Sequence, residues 1–174
     1  MFSNLNQNYI NETILYNNIV LLARNKSFYT KFSLGDTFQN RIHLIFLHAS
    51  FLFIKIKLNK TNKSYKTFYQ KMFDLIFIRI EQNMRELGYG DVSVNKNMKS
   101  LVKTFYNILL YCENYKKKSQ ESKKKFLLKY LELKNIEKDP INGILINYFD
   151  KYEAFCFNLS LDSVLSGVLN FNFK

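Results

Sequence analysis

With 174 residues and only two cysteines, the chain is long enough to bury about 70% of its unfolded surface, so its core needs neither a disulfide framework nor a structural metal. A formal charge of +12, carried by 22 lysines and only 4 arginines, argues against DNA reading, for which arginine supplies the bidentate contacts. No helix-turn-helix, zinc-finger or RNA-recognition signature is present.

Met1 to Tyr9 is polar and rich in asparagine, unlike a secretory leader with a basic start and an apolar stretch, and this predicts a cytoplasmic chain. Apolar spacing then predicts helices over residues 10–25, 27–33, 36–58, 63–87, 95–117, 120–134, 143–157 and 160–169. Asp36 precedes the stripe Phe38, Ile42, Ile45, Phe46, Ala49, Leu52, Phe53 and Ile56, which marks it as an N-cap. The run Ile42 to Ile56 carries His43, His48 and Lys55 and is shorter than the roughly twenty apolar residues a bilayer needs, so it reads as a buried core helix. His43 and His48 lie about 140 degrees apart around that helix and share no metal-binding face. His48, among Leu47, Ala49, Phe51 and Leu52, reads as a hydrogen-bonded structural histidine.

The most informative stretch runs from Met72 to Tyr106. Met72, Ile76, Ile80, Met84 and Leu87 recur every three or four residues, and Met98, Leu101, Val102, Phe105, Ile108, Leu109 and Cys112 repeat the pattern. Between them Gly88 suits the left-handed residue that ends a helix, Gly90 is a second permissive position, and Ser93 or Asn95 can cap the next helix. A tight helix-to-helix turn is the expectation. Further on, Asp139-Pro140 stops one helix, Asn142-Gly143 leads into another, and Glu137 with Asp139 reads as a cap or solvated pair. Cys112 and Cys156 have no Cys or His at ligand spacing and read as core residues in a reducing compartment.

No strand alternation, repeat or Ser/Gly-rich linker interrupts this pattern, so the expected architecture is an all-α, single-domain helical bundle over residues 1–174. Catalysis finds no support: GxSxG, CxxC, HExxH and phosphate-cradling glycine loops are all missing, and no catalytic, metal or cofactor residue is nominated.

Two charged groups remain as candidate surfaces. Asp74, Arg79, Arg85, Glu86, Asp91, Lys96, Lys99 and Lys103 combine both signs around the turn and suit a peptide or partner helix, unless Asp91 braces the turn and Arg85 pairs with Glu81. Lys116, Lys117, Lys118, Lys123, Lys124 and Lys125 suit an anionic membrane surface or a ribosome, unless they are a hydrated helix end. Phe28, Tyr29, Phe32, Phe68, Tyr69, Tyr89 and Tyr115, at helix ends or off the main stripes, are candidates for exposed apolar patches.

The wording of the central stretch resembles the ubiquinol-cytochrome c chaperone family. The resemblance rests on Phe73-Asp74, then Arg85-Glu86-Leu87-Gly88-Tyr89-Gly90-Asp91, then Lys96, Lys99, Lys103 and Phe105-Tyr106. Upstream, Leu15-Tyr16, Ile19-Val20, Ala23-Arg24, Phe28-Tyr29, Asp36-Thr37, Arg41 and Leu47-His48 follow the family in type and order, so that it covers roughly residues 13 to 110 and leaves 111–174 divergent. It implies a non-enzymatic chaperone for respiratory complex III that binds newly made cytochrome b, cytoplasmic or peripheral on the inner membrane. The start lacks the Arg-rich character of a mitochondrial transit segment, which points to a bacterial member. The alternatives are a basic RNA- or ribosome-binding protein and a helical lipid- or quinone-binding protein.

Overall fold

The computed structural model describes residues 9–58, 63–134 and 143–173. Its helices are α1 (Ile10–Ala23), α2 (Ser27–Thr30), α3 (Phe38–Lys57), α4 (Lys63–Glu86), α5 (Asp91–Cys112), α6 (Gln120–Tyr130), α7 (Ile144–Asn158) and α8 (Leu161–Leu165), with a 3-10 turn at Tyr115–Lys117. They form an all-helical bundle.

Every residue of α3 from Ile42 to Phe53 is buried, because this helix is apolar on all sides and can only be satisfied by neighbours all round. The Ile42–Ile56 run is therefore the central core helix. Among the described residues no helix is long and apolar enough to cross a membrane. Ring contacts set the directions of the neighbours: Phe46 meets Phe77 and Phe53 meets Tyr69, so α4 runs antiparallel to α3. Helix α5 runs parallel to α3, since Phe46 meets Phe105 and Lys57 reaches Glu113 at 2.6 Å. Helix α7 is also parallel, with His48 against Tyr152 and Lys55 over the ring of Phe157. Buried residues from Leu15 to Leu169 form one continuous cluster.

Several boundaries differ from the periodic reading, each for a local reason. The N-cap of α3 is Thr37, whose hydroxyl accepts from the Asn40 N–H, while Asp36 is drawn into a two-bond pair with Arg41. Helix α6 stops at Tyr130, four residues early, because the next residues pair with the chain before α3. Leu34 and Leu133 form an isolated antiparallel bridge, and the Glu132 carbonyl accepts from the Gly35 N–H. Buried Asn40 locks this crossing with a carboxamide that donates to the carbonyls of Gly35 and Glu132 and accepts from the Glu132 N–H, all at 2.8 Å. Helix α8 closes early in a Schellman motif, with Val168 N–H on Ser163 and Gly167 N–H on Val164. Gly167 has φ +78, and a Cβ there would come within 2.7 Å of the Ile14 side chain, so only glycine fits.

His48 is structural: its Nδ1 faces the Leu44 carbonyl and its Nε2 the Tyr148 hydroxyl, both at 2.7 Å. His43 bonds to the Tyr130 carbonyl and to the Gln39 amide. Cys112 and Cys156 are buried, and burial pushes both thiols up, away from the reactive thiolate. Glu137, Asp139 and Pro140 lie outside the described residues.

Candidate interaction surface at the α4–α5 turn

Gly88 ends α4 as expected, with φ +87. The Tyr89 N–H bonds to the Met84 carbonyl and the Gly88 N–H to that of Arg85, a complete Schellman motif. Helix α5 then begins at Asp91, earlier than the cap expected at Ser93 or Asn95, because extended Gly90 serves as its N-cap without a side-chain bond. Asp91 thus sits in the first turn of α5, where the helix dipole favours its negative charge.

Arg85 ties the turn together. Its Nε and Nη2 donate to Glu81 Oε1 at 3.0 and 2.9 Å, and Nη1 donates to Asp91. Arg85 and Asp91 therefore brace the two helices against one another. Arg79 bonds weakly to Gln82, and Asp74 accepts from Gln70, about three turns of helix from Arg85. Those two do not join the cluster at the turn. Glu86 stays exposed beside it.

Lys96, Lys99 and Lys103 are exposed and share one face of α5. The same face carries three apolar residues that the charge pattern did not flag: Val92, 84% exposed, at its start, and Tyr106 and Leu110 at its far end. Spacings of three and four residues make Val92, Lys96, Lys99, Lys103, Tyr106 and Leu110 one stripe along the helix.

On the other side of the turn, Leu87 is 60% exposed and lines an open cleft of about 220 Å³ between α1, the start of α3 and the end of α4. Val20, Phe38, Ile45 and Ile80 give the cleft an apolar floor, and Arg24, Arg41 and Glu86 stand on its rim. Nothing in the local pattern of any one helix shows this cleft, since three elements build it.

Residues 30–127 match the sequence model of the family described as ubiquinol-cytochrome C chaperone. The chain belongs to this family. The matched stretch holds α3, α4 and α5 entire, hence the turn, the α5 stripe and two walls of the cleft, while α1, α7 and α8 lie outside it. The fold is similar to that in the crystal structure of the Cbp3 homolog from Brucella abortus, with a TM-score of 0.75, 24% identity, and coverage of 94% of this chain and 91% of that one. No curated protein matches significantly.

The second lysine group divides in a way its sequence hides. Lys123 is only 5% exposed; its ammonium bonds to Asp150 at 2.7 Å and lies over the ring of Tyr115, so it belongs to the packing of α6 on α7. Lys125 pairs with Glu121 one turn earlier, Lys118 covers the ring of Tyr111, and Lys124 is half-buried. Lys116 and Lys117 are exposed on the 3-10 turn.

Of the aromatic residues expected to form patches, Phe28, Phe32, Phe68 and Tyr115 are core, Tyr29 and Tyr69 are half-buried, and Tyr89 alone is exposed. Among the described residues no group of three or more His, Cys, Asp or Glu side chains is placed to hold a metal ion.

Proposed function

We propose that this chain is an assembly chaperone for ubiquinol-cytochrome c reductase, respiratory complex III, and that it binds newly made cytochrome b without catalysing a reaction. Family membership supports the assembly role, and one structural observation supports a binding surface: apolar groups rimmed by both signs of charge run from the cleft through Leu87 and over the turn to Val92. A polytopic subunit exposes apolar helices and unsatisfied polar groups until its partners arrive, and covering them suppresses wrong associations. The cleft has room for one or two large apolar side chains, the kind of central anchor that carries most of the affinity at an interface. Arg24 and Glu86 on its rim select register and orientation. Binding takes place in the cytoplasm or on the inner face of the membrane that receives the client.

Leu87→Glu combined with Val92→Glu tests the surface without touching the core, since Leu87 lines the open cleft while mostly exposed and Val92 is more exposed still. Removing two exposed anchors at roughly 1 to 2 kcal/mol each is expected to lower recovery of cytochrome b with the tagged chain at least tenfold, with an unchanged melting temperature. Undiminished recovery would place the client elsewhere.

A further inference from the structure

We propose that the opposite end of the bundle is a docking face for an anionic lipid surface. Because α3, α5 and α7 run parallel, their C-terminal ends meet at one end, and antiparallel α4 begins there. This end carries Lys55 and Lys57 from α3, Lys63 and Lys66 from α4, and Lys116 and Lys117 from the 3-10 turn. Among the described residues two carboxylates, Glu113 and Glu153, line a groove at this end. Glu113 is paired with Lys57 at 2.6 Å, and half-buried Glu153 faces Lys116. Lys55, Lys63, Lys66 and Lys117 remain in excess over these two carboxylates.

Helix stability explains only two of these lysines. Lys55 and Lys57 sit in the last turn of α3, where cations are favourable, but Lys63 and Lys66 sit in the first turn of α4, where the dipole disfavours them, and Lys116 and Lys117 lie outside the α-helices.

Two large apolar side chains stand among them. Phe157 is 66% exposed and Leu58 61% exposed. Lys55 joins the two, since its ammonium lies 5.4 Å from the centre of the Phe157 ring and bonds to the Phe157 carbonyl, while Leu58, the C-cap of α3, follows three residues later. Beside them opens the groove, of about 310 Å³, lined by Lys116, Lys117 and Phe157 and also by Glu113 and Glu153, so the positive excess comes from the lysines of α3 and α4 around it.

Flexible ammonium groups around a protruding Phe and Leu fit a headgroup layer, where the cations meet phosphates and the apolar tips enter the acyl boundary. A nucleic-acid strand would use Phe157 for stacking but offers nothing to Leu58. Each basic residue near an anionic bilayer strengthens attachment roughly fivefold. The face lies at the far end of the bundle from the cleft, so it requires no particular client.

Sedimentation of the purified full-length chain with phosphatidylcholine vesicles, with and without phosphatidylglycerol, tests the proposal. Binding is expected only with phosphatidylglycerol, weakening with salt, at least tenfold weaker for Lys116→Glu with Lys117→Glu, and several-fold weaker for Phe157→Ser. Lys96→Glu with Lys99→Glu makes the same change in net charge on α5 and is expected to bind as the unaltered chain does. An equal loss in that control, binding that ignores phosphatidylglycerol, or a lysine-dependent preference for single-stranded RNA over vesicles would overturn it.

Discussion

Phe105→Ala is expected to destabilise the fold by about 3 to 5 kcal/mol, the usual cost of emptying a large aromatic site in a core that relaxes only in part. Phe105 is fully buried, and its ring meets those of Phe46, Phe53, Phe73 and Phe77 at centroid distances of 5.2 to 5.8 Å. It is thus the side chain through which α3, α4 and α5 grip one another. A thermal melt should show a fall of roughly 10 °C for a chain of this size. A change within a degree or two would mean that the three helices are held elsewhere.

Acidification is expected to remove about 3 kcal/mol of stability through His48 alone. Burial pushes this imidazole from 6.5 down to about 4, and both ring nitrogens are already engaged, one with the Leu44 carbonyl and the other with the Tyr148 hydroxyl. The folded state holds the neutral ring, so below pH 6.5 the unfolded chain binds the extra proton. Full stability is therefore present above 6.5, falls at up to about 1.4 kcal/mol per pH unit, and levels off near 4. Burial shifts His43 in the same direction and steepens the fall. Denaturant titrations at pH 7 and pH 5 should differ by about 2 kcal/mol in the unaltered chain and by clearly less in His48→Gln. Equal differences in the two proteins would show that His48 is not the titrating group.

Local chemistry explains which features could be read from the residues. Gly88 and the apolar spacing on either side of it specify the turn, because a left-handed helix end is chosen by the residue that occupies it. The Arg85 pair with Glu81 follows from i,i+4 spacing. The apolar run of α3 gave its burial through length and composition alone. Other features depend on partners far along the chain. Lys123 looks like its two neighbours in sequence, yet it turns inward because Asp150 waits on α7. Phe28 and Phe32 looked free at a helix end, but Tyr148, Phe149 and Phe173 from the divergent C-terminal part close over them. The early end of α6 is set by Asn40, which reaches across 92 positions to Glu132. The cleft beside Leu87 belongs to three helices together, and no single periodicity contains it.

The most direct test of a role in complex III assembly is removal of the gene in its native host, with cytochrome b protein, its transcript and the other respiratory complexes quantified side by side. Loss of cytochrome b and complex III with a normal transcript and unchanged neighbouring complexes is the expected result. Complex III at normal level and composition in cells lacking the chain would contradict it.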